Sequence, residues 1–149
     1  MPLPDLPNAI AMDISQENDI SAMPEKERKE LELESQLPTL IKAAYQLLGL
    51  ITFFTTGEDE TRAWTIPQTS TAKRAGRAIH SDFEDKFIRA DVIYWERLIE
   101  ADGLPDGSHR WGSGEAGKAG WARAREKGWL RSEGKDYIVK DGDVIEFKI

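Results

Sequence analysis

A stretch of 22 residues towards the C-terminal end combines basic and aromatic side chains in a pattern that could hold RNA. Its basic residues are Arg110, Lys118, Arg123, Arg125, Lys127 and Arg131. Glu115 and Glu126 alone oppose them, so the stretch carries a net charge of +4, and Trp111, Trp121 and Trp129 lie between the cations. Cations of this kind contact phosphates, and tryptophan rings stack on bases. A solvated helix whose tryptophans pack on a sheet would produce the same pattern, and both interpretations stay open.

A second basic group lies on a predicted helix near the middle of the chain. Pro67 ends the strand before it, and Thr69, Ser70 and Thr71 offer hydroxyl groups that could cap the helix. One face of this helix carries mostly small side chains, namely Ala72, Ala75, Gly76 and Ile79. Such a face can lie close to a sheet, which leaves Lys73, Arg74 and Arg77 in solvent. We expect these three cations to be a second candidate contact for RNA phosphates.

Catalytic and metal-binding patterns are absent from the sequence. There is no cysteine, there are only two histidines, and no phosphate loop of the form GxxxxGK[ST] occurs. His80 fits a histidine that interacts with a helix dipole, and Asp82, Glu84 and Asp85 fit a solvated turn. Asp141-Gly-Asp143 is too poor in ligands for a calcium loop and fits a turn. We therefore expect no catalytic residue, no metal site and no cofactor.

The charge of the chain is concentrated at its N-terminal end. The 149 residues carry a net charge of −7, of which −6 falls on residues 1–36. The overall charge argues against bulk affinity for nucleic acid, and no DNA partner is expected, whereas the nearly neutral remainder permits a local basic patch. No apolar run approaches 20 residues, and the proline-rich, acidic N-terminus does not resemble a signal peptide. With no cysteine, these features fit a cytoplasmic protein without a membrane partner.

The N-terminal third is predicted to be weakly ordered at first and helical afterwards. Residues 1–20 indicate little structure, although residues 8–14 could form a short strand. A helix is expected from Pro24 to Glu34, since proline suits a first turn. A second helix is expected from Pro38, with an apolar face formed by Leu40, Ile41, Ala44, Leu47 and Leu48. Gly49 is suited to end it.

The rest of the chain predicts strands around one main helix. Residues 50–55 and 61–66 predict a hairpin, and residues 87–93 predict a third strand, followed by a short helix at 94–100. A loop at 102–114 and a helical stretch at 115–127 come next. The Asp-Gly pair predicts a final hairpin between residues 137–140 and 144–149. This order favours the α+β class and the β-grasp, or ubiquitin-like, plan, in which one helix crosses a mixed sheet.

Four segments, in order along the chain, resemble the C-terminal domain of the YchF family of Obg-like P-loop nucleotidases. They are Leu40 to Gly57, Arg62 to Ile66, Ala78 to Phe83, and Glu133 to Val144. Together they make residues 37–149 similar to a TGS domain, a β-grasp module also found in threonyl-tRNA synthetases and stringent-response synthetases. The resemblance implies that residues 1–36, an acidic extension, are a remnant of the nucleotidase domain. An apparent insertion at 102–121 lies outside it.

The resemblance implies a binding module and no enzyme. Full-length relatives are implied to be ATPases or GTPases that associate with ribosomes, but their nucleotide-binding motifs have no counterpart here. No catalytic residue of the family can be placed on this sequence. The implied partners are the ribosome or RNA and the parent nucleotidase domain. The alternative is a regulatory protein–protein interaction domain without RNA contact, in which the acidic N-terminal segment docks on a partner.

Overall fold

The chain folds into two compact units. The computed structural model describes residues 9–56, 60–102 and 115–149. One unit ends at Leu48 and the other runs from Gly49 to Ile149. The sequence places a boundary after residue 36, so the two divisions differ over the helix at 37–48. In the described part of the chain, no helix has the length and apolar character needed to cross a membrane.

The described part of the first unit contains three helices, α1 (Ile14–Ala22), α2 (Glu25–Glu30) and α3 (Leu37–Leu48). α1 begins after Asp13, whose carboxylate accepts a hydrogen bond of 3.1 Å from the backbone N–H of Gln16. This bond satisfies a backbone group that the first helical turn leaves open. The expectation of weak structure up to residue 20 is therefore wrong from Ile14 onward. The described residues 9–13 form no strand.

Glu17 connects α1 to the start of α3. Its carboxylate accepts hydrogen bonds of 2.6 Å each from the Ser35 hydroxyl and from the backbone N–H of Gln36. These bonds, the one from Ser35 first, lower the pKa of Glu17. The predicted helix from residue 24 is present but ends at Glu30 instead of Glu34, and Glu32 then adopts a left-handed φ of 52°.

The helix predicted from Pro38 is confirmed as α3. Gly49 follows it with a φ of +60°, a conformation that glycine adopts without steric cost. None of its side chains is buried. Leu47 is 88% exposed, and Leu40, Ile41 and Leu48 are exposed as well.

The second unit is a mixed α+β structure built on one five-stranded sheet, which confirms the predicted class. Its strands are β1 (Leu50–Thr56), β2 (Thr61–Pro67), β3 (Arg89–Tyr94), β4 (Arg131–Glu133) and β5 (Asp143–Lys148). Its helices are α4 (Ala72–Ile79), α5 (Ser81–Asp85), α6 (Trp95–Asp102) and α7 (Glu115–Glu126). The strand order is β2-β1-β5-β3-β4, with β1 and β5 parallel and the other neighbours antiparallel.

The first predicted hairpin is confirmed, and the last is wrong. β1 and β2 pair antiparallel, with Phe53 opposite Trp64. β5 pairs with β1 and β3 and not with residues 137–140, which form only an isolated bridge between Ile138 and Thr71. The short strand β4 was not predicted. An Asp-Gly turn signal reports a local reversal, whereas these pairings join residues far apart in sequence.

The sheet carries a hydrophobic cluster on each face, because successive strand residues point to opposite sides. Ala72 and Ala75 of α4 join the first cluster, with Ile51, Phe53, Ile66, Ala90, Val92, Val139 and Ile145. Leu98 and Ala101 of α6 and Ala124 of α7 join the second, with Ile93 and Val144. Val92 and Ile93 are adjacent on β3 yet belong to different clusters. The sheet therefore lies between α4 and the pair formed by α6 and α7.

Candidate nucleic-acid interface

The α4 surface, defined as Lys73, Arg74 and Arg77, is exposed as predicted. Thr71 caps α4, since its hydroxyl accepts a hydrogen bond of 3.3 Å from the backbone N–H of Arg74. Ala72, Ala75 and Gly76 are buried, which confirms the predicted small-residue face. Burial of that face fixes the orientation of the helix, so the three cations extend into solvent.

The histidine and the carboxylates after α4 stabilise a short helix. His80 ends α4, and its Nδ1 accepts a hydrogen bond of 3.2 Å from the backbone N–H of Asp82, so it caps α5. Lys86 Nζ lies 3.0 Å from an Asp82 oxygen and lowers the pKa of that carboxyl. Glu84 lies 3.0 Å from Arg77 Nη1. The expected solvated turn is thus wrong, because residues 81–85 are helical and two of their acids, Asp82 and Glu84, pair with cations.

The α7 surface, defined as Arg123, Arg125 and Lys127, lies on the helix that packs against the other face of the sheet. Arg125 Nη2 lies 3.9 Å from Asp91, a carboxylate on β3 that is 7% exposed. Lys127 Nζ lies 4.3 Å from the centre of the Trp129 ring. These cations are exposed, but contacts with neighbouring groups already engage Arg125 and Lys127.

The tryptophans near α7 belong largely to the core. Trp121 and Trp129 are half-buried and pack against the second hydrophobic cluster. Arg97 of α6, which the sequence did not single out, also lies over the Trp129 ring at 5.0 Å, together with Lys127. Of the two interpretations left open, tryptophan packing describes these two rings. Two cations therefore already lie against the Trp129 ring.

The structure does not bring the predicted cations into one patch. The α4 and α7 surfaces belong to helices on opposite faces of the sheet. Arg110 and Trp111 lie outside the described residues, so the place of Arg110 in an interface stays a prediction. The loop at 102–114 lies outside them too, apart from residue 102.

A buried polar network near the C-terminus joins side chains whose contacts the sequence did not predict. Asp143 is 1% exposed and accepts hydrogen bonds of 2.8 Å each from the Tyr137 hydroxyl and from the backbone N–H of Lys140. Arg131 Nη2 lies 3.0 Å from the Tyr137 oxygen and 3.5 Å from Asp143. Burial, followed by the bond to Asp143, raises the pKa of Tyr137 to about 12. The Asp143 carboxylate thus connects the Tyr137 side chain to the backbone of Lys140.

Metal-binding geometry is not found in the described ranges 9–56, 60–102 and 115–149. No group of three or more histidine, aspartate or glutamate side chains lies there in a position to hold a metal ion. Of the acids near His80, Asp82 and Glu84 pair with cations.

Comparison with known families places the second unit. Residues 50–149 match the model of the YchF GTPase C-terminal family, whose description reads "Protein of unknown function (DUF933)". The chain belongs to the YchF family. The resemblance predicted from the four sequence segments is thereby confirmed, and the matched range begins one residue after the second structural unit does.

Curated YchF relatives are similar over most of this chain. The "Ribosome-binding ATPase YchF" of Escherichia coli O157:H7 is 46% identical over 136 residues, which are 88% of this chain and 33% of that protein. The protein of the same name from Bacillus subtilis is 44% identical over 115 residues, 77% of this chain and 27% of its own length. "Obg-like ATPase 1" of Gallus gallus is 40% identical over 133 residues, 87% of this chain and 29% of its length.

A solved YchF structure shares the fold. The chain aligns with the Schizosaccharomyces pombe YchF GTPase at a TM-score of 0.72 and 29% identity, covering 92% of this chain and 33% of the other. The chain thus spans about a third of the length of the YchF proteins it matches. This YchF segment corresponds to their C-terminal domain, and the bulk of the relatives lies outside the aligned part.

Proposed function

We propose that this YchF segment is a TGS-type β-grasp binding module of a translation-associated ATPase, and that it contacts ribosomal RNA through exposed cations. The similarity to proteins named as ribosome-binding ATPases carries the proposal. Exposed lysine and arginine side chains, those on α4 above all, support RNA as the contacted component, because phosphates are bound by solvent-accessible cations.

The β-grasp part of the proposal is supported by the topology. The parallel pair β1 and β5 forms the centre of the sheet, with an antiparallel neighbour on each side, and α4 lies between β2 and β3 in sequence. This is the arrangement of one main helix crossing a mixed sheet. The helices α6 and α7, which cover the second face, are an addition to that plan.

The binding module is proposed to have no nucleotidase activity of its own. The sequence contains no GxxxxGK[ST] segment, so no backbone cradle for a triphosphate is expected. The ATPase activity in the names of the relatives would then belong to the part of those proteins outside the aligned third.

The salt dependence of ribosome binding tests the proposal. We expect the chain to co-sediment with ribosomes at about 50 mM salt and to dissociate progressively as salt rises to about 200 mM, because phosphate contacts release counter-ions. Nuclease treatment of the ribosomes should abolish the binding. A parallel titration with ATP and GTP should show no binding. Absence of the chain from the ribosome pellet at the lower salt concentration would contradict the proposal.

A second candidate function, protein–protein contact, is favoured by the exposed face of α3. Leu40, Ile41, Leu47 and Leu48 recur at helical spacing and are 42–88% exposed. α3 precedes the range that matches the family model and belongs to the other structural unit. Because an exposed apolar row of this kind typically marks a contact, we propose that it docks on the nucleotidase domain of a YchF protein.

Substitution of Ile41 and Leu47 by glutamate tests this second candidate. We expect the double variant to lose at least about tenfold affinity for a separately produced YchF nucleotidase domain, since two apolar anchors are replaced by charges. Isothermal titration calorimetry measures the affinity. Lys42→Glu, a charge change on the same helix, is the matched control and should bind as the wild type does. Equal affinity of all three proteins would exclude the face of α3 from the contact.

A further inference from the structure

We infer that the α4 surface, extended by Lys135, is the phosphate-contacting surface for RNA, and that the α7 surface is not. This inference rests on the RNA contact proposed above and identifies its location. The two surfaces lie on opposite faces of the sheet, so one RNA strand tracking a single face cannot contact both. The two surfaces differ in how far their cations are already paired with other groups of the protein, and this difference decides between them.

The cations of the α4 surface are largely available. In the described part of the chain, Lys73 and Arg74 form no ion pair or side-chain hydrogen bond, while Arg77 keeps its bond to Glu84. The backbone N–H of Lys73 donates to the carbonyl of Lys135 at 3.4 Å, which brings a further exposed cation beside α4. Asp136 is the acidic residue next to Lys135. A phosphate at Lys73 and Arg74 would displace no carboxylate.

The cations around the α7 surface are already engaged. Arg125 faces Asp91, and Lys127 lies over Trp129. Arg97, which shares that ring, also pairs with Glu100 at 3.4 Å. Glu126 follows Arg125 directly and is exposed. An RNA strand would have to compete with these groups for each contact, so binding there gains less than on α4.

The positions of Lys73 and Arg74 are unfavourable for the helix itself. Both lie in the first turn of α4, where the backbone dipole disfavours positive charge, and that turn contains no acidic residue. Arg77 lies four residues after Lys73 and three after Arg74, so it is a like-charged neighbour of both on the helix surface. Local charges that oppose helix stability indicate selection for something else. A phosphate ligand would turn the repulsion among them into attraction.

The helix that presents these cations is held rigidly. Ala72 and Ala75 are fully buried, and the backbone N–H of Ala72 donates to the Tyr137 carbonyl at 2.7 Å. A side chain on Gly76 would lie 3.0 Å from Phe83, which shows how closely α4 and α5 approach. RNA binding at α4 would therefore order only the flexible ends of the cationic side chains, and the entropic cost stays small.

The double variant Lys73→Glu/Arg74→Glu tests the inference, with single-stranded oligouridine as the probe. We expect the affinity at low salt to fall by about tenfold or more, and the slope of log affinity against log salt to become shallower by about 1.4, the value for two lost contacts to a single strand. The melting temperature should equal or exceed that of the wild type, because acids in the first turn complement the dipole. Lost binding could then not be attributed to unfolding.

The matched control is Arg123→Glu/Lys127→Glu, which changes the charge by the same amount on α7. We expect it to keep the wild-type salt slope. The neutral variant Lys73→Gln/Arg74→Gln should show the same reduction in the salt slope without adding repulsion. It replaces Lys73→Glu/Arg74→Glu if that variant unfolds. Loss of slope in the α7 variant alone, or in neither variant, would overturn the inference while leaving RNA binding intact. Failure of the wild-type chain to bind RNA or ribosomes would overturn the proposed function as well.

Discussion

Replacing Gly142 with alanine is expected to lower the free energy of unfolding by about 3 kcal/mol. Gly142 has a φ of +83°, where an L-residue is strained by about 1–2 kcal/mol. A methyl group there would also lie 2.6 Å from Cε2 of Tyr94 and 2.8 Å from Cδ1 of Trp95. Overpacking of this kind typically costs about 1–3 kcal/mol. Urea denaturation followed by circular dichroism measures the change.

Gly128→Ala is the matched control for this prediction. Gly128 has a similar φ of +68°, but a methyl group there would meet no atom within 4 Å. The control should therefore cost only the conformational part, about 1 kcal/mol. Equal losses in the two variants would show that Tyr94 and Trp95 move aside freely. A loss at Gly142 below that at Gly128 would contradict the prediction.

Elements governed by local periodicity could be predicted from the sequence. The apolar spacing of α3, the glycine after it and the hairpin of β1 and β2 each involve residues close in the chain, and all are confirmed. α1 was missed because its few apolar residues form no clear face, while Glu17 is fixed by Ser35 and Gln36, which lie far along the chain. Periodicity contains no information about such a bond.

The pairing of β5 could not be predicted for a related reason. Val144 pairs with Phe54 in parallel, a contact across 90 residues that no turn residue signals. The Asp-Gly turn is real, since the backbone N–H of Asp143 donates to the Lys140 carbonyl. The Asp141 side chain, however, connects the turn to β1, because its carboxylate accepts a hydrogen bond of 2.8 Å from the Thr52 backbone N–H. The turn therefore packs against the sheet and does not connect two paired strands.

The residue types of the candidate interface could be predicted, but their arrangement could not. Solvent exposure of Lys73, Arg74 and Arg77 follows from the small face of one helix. The topology of the sheet places α4 and α7 on opposite faces. It also determines that Val92 faces α4 while its neighbour Ile93 faces the pair formed by α6 and α7. The engagement of Arg125 by Asp91 depends on the same packing. A count of charge along the sequence treats all these cations alike.

The Asp143 network and the packing of Gly142 stabilise the same turn. Asp143 does so through buried hydrogen bonds, and Gly142 through close contact with Tyr94 and Trp95. Among the described residues, segment 137–140 has no strand partner beyond the bridge between Ile138 and Thr71. The Asp143 carboxylate holds both ends of the segment, through the Tyr137 hydroxyl and the Lys140 backbone N–H. The segment in turn carries the carbonyl of Tyr137 that accepts from the start of α4. Loss of the carboxylate should therefore loosen the support of the α4 surface.

Replacing Asp143 with alanine is expected to lower the free energy of unfolding by about 3–4 kcal/mol, because it leaves buried donors without an acceptor. Tyr137→Phe removes one bond and should cost only about 1 kcal/mol.

The folded pKa of Tyr137, about 12, exceeds its ordinary value of 10, so the unfolded chain releases this proton first. The stability that this raised pKa contributes is fully present below pH 10 and is lost as the pH rises towards 12. Urea denaturation across this pH range should show a decline in the wild type that is weaker in Tyr137→Phe, and parallel declines would contradict a raised pKa of Tyr137.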